Sequence, residues 1–332
     1  MLKETNRRRV DLIVPTGWNQ CTTEQLETIA QILLRRMAMQ DRYHPYDPLQ
    51  MKTEVFFALA GLQVMEQQEE SGDTNSGDDR FKVCLRGDRH WFTMSVWQVH
   101  SFVNQHLGWL DDFTGLWRFP YDDLGSYSVG RWSWTKAPLR WLGLAKPLPR
   151  LHGPAPLLDG MTWRQYRFAS DWITSYTDIE NMKLKVAQSA VQRVDGSRLA
   201  MLNAQSAEAR EGFLRALFDV IDLPRTPRQL RRLRPDQFQL CLIWWQSMMK
   251  EMQAKYKRCF KTGSTKDNPS KASQLPIDLY TRSTATLQDK YHLTEDEINR
   301  QPCRVILQHL EDMAREAEEL EKINRQHTSH RK

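Results

Sequence analysis

Two pairs of adjacent carboxylates, Asp111-Asp112 and Asp122-Asp123, are the residue types in this chain best suited to general acid–base work or cation binding. Adjacent positions of an extended chain point apart, so neither pair converges on one proton or one ion, and both read as solvated turn residues. Gly125-Ser126-Tyr127-Ser128-Val129-Gly130 has the composition of a nucleophile elbow without the G-x-S-x-G spacing. The histidines are dispersed, and His100 and His106 do not share a helical face. The five cysteines (Cys21, Cys84, Cys241, Cys259 and Cys303) form no C-x-x-C pair, which argues against a zinc site or a disulfide framework and for a reducing interior. No phosphate loop, Gly-rich dinucleotide fingerprint or H-E-x-x-H motif occurs. The expectation is a chain without catalytic residues, cofactor or metal.

Three features have the chemistry of a binding surface instead. Between Arg225 and Lys271 there are twelve Lys or Arg against Asp236, Glu251 and Asp267, a local balance of +9 where the whole chain carries +6. Arg225, Arg228, Arg231, Arg232, Lys257, Arg258 and Lys261 are the candidate nucleic-acid contacts, with a solvated basic face as the alternative. From Trp109 to Trp141 aromatic residues crowd together and are interleaved with Arg118, Arg131 and Arg140. That block reads as the core of an irregular segment or a protein interface ahead of a base-stacking platform. Near the end of the chain Ile306, Leu310, Met313, Ala317 and Leu320 follow a 4-3-4-3 spacing, the narrow seam of a two-helix contact. They are the candidate partner-binding residues, either for another chain or for their own domain.

The elements that must position these surfaces are mostly helices. Ser or Thr stands three residues before Glu or Gln at Thr22/Gln25, Ser95/Gln98, Thr162/Gln165, Thr226/Gln229 and Thr294/Glu297, the spacing of a capping box. A first α+β unit is expected over 1–145. It holds a short strand at Val10–Pro15, a helix carrying Leu26, Ile29, Leu33 and Met37, a second helix from about Met51 to Gly61, and a mobile acidic loop over 66–79. Phe81–Leu85 and His90–Phe92 predict a small β-hairpin turning at Gly87, and a helix with Val96, Val99, Val103 and Leu107 follows. Prolines 147, 149, 154 and 156 suggest an inter-domain connection. A helical unit is expected over 158–262, with helices near 163–176, 178–194 and 206–221, a start at Thr226-Pro227, and a longer helix after Pro235 lined by Phe238, Cys241, Trp245, Met248, Met252 and Tyr256. A flexible linker over 263–284 then tethers a C-terminal helical segment over 285–325. The fold class is mainly α with minor β.

Composition bounds the setting. A content of 40% hydrophobic and 27% charged residues is that of a globular chain. The twelve Trp must be largely covered, because each buried aromatic side chain hides about 150–250 Å², worth roughly 4–6 kcal/mol. The most apolar window, Phe238 to Met249, is too short to span a bilayer and is interrupted by Gln239 and Gln246. Met1 to Arg9 has no apolar run behind it long enough for a signal peptide, so none is expected. A soluble cytoplasmic protein is expected, with no membrane partner and its oligomeric state left open.

Three stretches carry a family resemblance. Val14-Pro15-Thr16-Gly17-Trp18-Asn19-Gln20-Cys21-Thr22 resembles the P-T-x-W-x-x-L-T opening of uncharacterised proteins encoded in prophages and mobile elements of gut bacteria, with Cys21 in place of the leucine. Leu157 to Tyr166 resembles a second stretch of the same group. Tyr291 to Pro302 is similar to the Y-x-L-T-x-E-E-I-x-R-x-P stretch of small phage tail-assembly chaperone-like proteins, which this chain exceeds in length. The resemblance implies a mobile-element origin and a phage structural or assembly protein as partner. The expected function is therefore non-enzymatic assembly through protein–protein contacts, and the alternative is a nucleic-acid-binding accessory protein using the basic 225–271 region.

Overall fold

The computed structural model describes residues 12–39, 47–68, 80–87, 90–121, 151–189, 196–260 and 277–329. Among them the fold is mainly α with one three-stranded antiparallel sheet. Capping chemistry is realised where helix starts are free of other constraints. Thr22, Thr162 and Thr294 each accept from the backbone N–H three residues on, at 3.2, 3.3 and 3.3 Å, while Gln25, Gln165 and Glu297 accept from the cap N–H at 2.9, 2.7 and 2.8 Å. Ser95 and Thr226 do not cap in this way. Ser95 ends a strand as well as preceding a helix and makes no side-chain cap bond, and the helix near Thr226 begins only after Pro227.

The chain divides into two compact units. The first comprises Met1–Leu116 and Pro235–Ser247, the second Trp117–Arg234 and Met248–Lys332. Boundaries therefore fall at 116/117, 234/235 and 247/248 rather than at the proline-rich stretch, whose described part packs inside the second unit. Leu151 is buried there, and a Cβ on Gly153 would meet Phe119 Cδ1 at 2.2 Å and the Tyr121 carbonyl at 2.9 Å.

In the first unit, α1 (Thr23–Met39) buries Leu26, Ile29, Ala30, Ile32 and Leu33. Helix α2 (Pro48–Leu59) starts at Asp47, whose carboxylate accepts from the Leu49 N–H at 2.9 Å, with Pro48 supplying the fixed φ of a first helical position. Gly61, at φ +67°, turns the chain into β1 (Leu62–Gln68), which pairs with β2 (Arg80–Leu85), and β2 pairs with β3 (Trp91–Ser95). The expected hairpin is present with Gly87 at φ +87°. Two expectations fail here. Residues 12–15 form no strand, and 66–68 belong to β1 instead of a loop, while 69–79 lie outside the described residues. Phe81 and Val83 face the core, and Phe57 meets Phe81 edge-on at 5.1 Å. Helix α3 (Val96–His106) buries Val99 and Val103.

The second unit is built on α4 (Trp163–Ser189) and α5 (Gly196–Leu217), which pack along one another. The first expected helix and the described part of the one expected at about 178–194 are one continuous element to Ser189, and 190–194 lie outside the described residues. Within this element the Thr177 hydroxyl donates to the Ile173 carbonyl at 2.8 Å, satisfying the side chain locally. After the four-residue α6 (Arg228–Arg231) comes α7 (Pro235–Lys255), whose first part belongs to the first unit and whose end belongs to the second. Phe238, Cys241, Trp245, Met248, Met252 and Tyr256 are all buried, as their spacing predicts, and so are Leu240, Ile243 and Trp244 on other faces. Gln246 and Lys250 remain exposed, so the helix is apolar around most of its circumference and keeps one polar face.

Helices α8 (Ile277–Tyr291), α9 (Glu295–Arg300) and α10 (Cys303–Ser329) complete the second unit. The expected tether over 263–284 is thus helical from 277, and 261–276 lie outside the described residues. The C-terminal segment is docked. Trp163 N–H donates to the Gln301 carbonyl at 2.7 Å, Cys303 N–H donates to the Met161 carbonyl at 2.8 Å, and Ile298, Ile306 and Leu307 are buried.

Candidate interaction surfaces

Of the two carboxylate pairs, the first lies among the described residues. Asp111 forms an ion pair with the buried Lys52 ammonium, and Asp112 accepts from the Thr114 hydroxyl at 2.9 Å. The backbone of the same loop receives the indole N–H of Trp18, which donates to the Trp109 and Asp112 carbonyls at 3.0 Å each. Trp18 thereby fixes the turn that holds the carboxylates apart. Asp122-Asp123 and Gly125–Gly130 lie outside the described residues. Burial pushes the thiols of Cys21, Cys259 and Cys303 up to about 12, with the Glu311 carboxylate adding to the effect at Cys259. A thiol so protonated is a poor nucleophile at neutral pH. Among the described residues no group of three or more His, Cys, Asp or Glu could hold a metal ion.

Of the aromatic block, residues 109–121 are described, and they divide. Trp109 packs edge-on against Trp18 at 4.9 Å, and Phe119 and Tyr121 are buried. Trp117 is about half exposed, its indole N–H 3.3 Å from Glu251 Oε1. The exposed aromatics that the periodicity did not single out are Trp91 and Trp97 of the first unit, with the Lys82 ammonium 4.5 Å over the Trp91 ring.

The basic region separates into two segments. Arg225, Arg228, Arg231 and Arg232 lie together on and around α6, all exposed, and Arg231 is 3.5 Å from Glu211. Lys257 and Arg258 lie past the end of α7. Arg258 is committed to α10, with its Nη1 3.2 Å from Glu311 and its Nε 3.0 Å from Glu318. Those two hydrogen-bonded carboxylates hold its pKa above the ordinary arginine value. Glu311 also accepts from the backbone N–H groups of Arg258 and Cys259 at 2.8 Å each. Arg258, although exposed, thus links the turn to α10. Lys261 lies outside the described residues.

The terminal seam is also divided. Ile306 is buried within the second unit, and Leu310 and Met313 are half-buried. Ala317 is exposed, as is Leu320 at 62%. Ile323, which falls between seam positions and was missed by the strict spacing, is 48% exposed. Lys290 reaches Glu316 at 2.6 Å, so α8 still holds the helix at that level. The first half packs on its own unit and the second half is open.

No helix among the described residues is long and apolar enough to cross a membrane. Compared with protein-family models, with curated proteins and with solved structures, the chain matches none.

Proposed function

We propose that this chain is a non-enzymatic structural or assembly accessory protein of a phage-type particle, acting in the cytoplasm through protein–protein contacts. The outward half of α10 is its docking surface. The observation that carries the reading is the open stripe Ala317, Leu320 and Ile323, which continues a seam whose first turns are already buried. A partner helix laid on it would bury two large aliphatic side chains, each worth about 1–2 kcal/mol given its partial exposure. A small set of such anchors is the usual source of affinity in helix recognition. The resemblance of Val14–Thr22 and Tyr291–Pro302 to mobile-element and tail-assembly sequences supports the choice of partner class.

The test is co-expression with the products of the neighbouring reading frames, followed by co-purification of the tagged full chain. Capture of a particle component by the wild type, and its loss in Leu320→Asp/Ile323→Asp with an unchanged circular dichroism spectrum, is the expected result. Equal capture by the variant would remove the stripe from the mechanism, and capture of no particle component would remove the function.

A further inference from the structure

The segment 225–234, Arg-Thr-Pro-Arg-Gln-Leu-Arg-Arg-Leu-Arg, holds five arginines, no lysine and no acid. Its side chains are sorted by chemistry. Thr226, Gln229, Leu230 and Leu233 are buried, and Arg225, Arg228, Arg231, Arg232 and Arg234 are exposed.

The backbone that presents them is fixed from inside. Arg215 of α5 donates to the carbonyls of Val220, at 3.4 Å, Ile221, at 2.7 Å, and Leu223, and Arg210, one turn and a residue earlier, donates to the Leu233 carbonyl. Two guanidinium groups thus hold the entry and the exit of the loop. The Leu230, Arg232 and Leu233 N–H groups close short turns onto Pro227, Gln229 and Leu230 at 3.1, 3.2 and 3.3 Å. The nearby acid Asp222 is engaged by both terminal nitrogens of Arg164, at 3.0 and 2.6 Å, which offsets its charge. The Arg231–Glu211 pair is exposed and 3.5 Å long, the kind of ion pair that contributes little and yields to a stronger anion.

We infer that this arginine ridge binds the phosphodiester backbone of duplex nucleic acid. Guanidinium forks match phosphate oxygens bidentately, and their use to the exclusion of lysine fits that geometry better than it fits a merely solvated face. The apolar residues of the segment point inward, so the ridge lacks the apolar centre that a protein partner would bury. It also holds no aromatic residue on which single-stranded bases could stack. What remains is contact with phosphates, independent of base sequence. Arg210 and Arg215 are positioning residues in this arrangement. The inference is independent of the docking surface on α10.

The experiment is fluorescence anisotropy of labelled DNA and RNA duplexes of one sequence, titrated with the full chain between about 50 and 200 mM salt. With three to five phosphates contacted, the log–log salt slope should be about −3 to −4.5 for DNA. Arg225→Glu/Arg228→Glu/Arg232→Glu should lower affinity about tenfold or more at the lowest salt. The milder triple change to Gln should lower it less and flatten the slope, with both variants melting as the wild type does. Duplex binding unchanged in both variants, absence of binding to either duplex, or tighter binding of the matching single strand overturns the inference.

Discussion

Gly212 lies inside α5, where glycine costs about 1 kcal/mol relative to alanine because more backbone freedom is lost on folding. On helix propensity alone, Gly212→Ala should stabilise the protein. The packing of α4 on α5 reverses the sign. A Cβ at this position would lie 2.4 Å from Cδ2 and Cε2 of Trp172 and 2.7 Å from its Nε1. Carbon atoms pack at about 3.5–4.0 Å, so ring or helix must retreat by about 1 Å or more. Those atoms belong to the fused part of the indole, and the flanking Ala209, Phe213 and Ala216 are buried, so the helix has little room to move. Overpacking of this kind costs about 1–3 kcal/mol. The two effects leave Gly212→Ala less stable by up to about 2 kcal/mol. Urea unfolding followed by far-ultraviolet circular dichroism reads this as a lower midpoint at unchanged slope. Trp172→Leu should be damaging beside Gly212 and restorative beside alanine, giving a coupling of about 1 kcal/mol or more in the double-mutant cycle. Gly212→Ala that gains its full propensity term, or a cycle with no coupling, refutes the close approach of the two helices.

Two further outcomes follow from the same geometry. The Glu297 carboxylate is held below the ordinary glutamate value, first by the Thr294 backbone N–H and then by its hydroxyl. A lowered folded-state pKa means that the stabilisation is present above the ordinary glutamate range and is lost as pH falls through the folded value. Glu297→Ala should therefore be destabilising at neutral pH and nearly silent in acid, checked by chemical denaturation at both; an equal effect at both pH values would exclude the ionised cap. Cys303, buried and with its thiol pushed up to about 12, should resist alkylation at neutral pH longer than the half-buried Cys21 and Cys259 and react on adding denaturant, read by peptide mass mapping; rapid labelling of Cys303 in the folded chain would contradict its burial.

Local chemistry was legible in the sequence wherever one residue's side chain decides the outcome. The capping box at Thr294, the αL turn at Gly87 and the buried face of α7 are of this kind. Strand β1 was not legible. Its ladder shifts between Val64 and Glu66, which breaks the alternation a strand is recognised by, and its pairing comes from β2 across the intervening chain. The core role of α7 was half legible, because spacing marks one apolar face while the burial of Leu240, Ile243 and Trp244 beyond it depends on what surrounds the helix. Its division between two units leaves no trace in its periodicity.

The candidate surfaces obey the same distinction. Spacing places Ile306 through Leu320 on one face of α10, but how many turns are covered depends on elements distant in sequence. Within the second unit the Met161 carbonyl and Lys290 of α8 hold it, and so does the turn carrying Arg258 through Glu311 and Glu318. Charge counting has the same blind spot. It adds Arg258 to the arginines of 225–234, although the carboxylate facing Arg258 is itself fixed by two backbone N–H groups. A guanidinium held that way gives up its bonds to Glu311 and Glu318 if it turns to a phosphate. Arg231, against an exposed acid at 3.5 Å, has no such obligation. The formal +9 of the region therefore adds together arginines in different settings, Arg258 tied to α10 by two carboxylates and Arg231 beside one exposed acid.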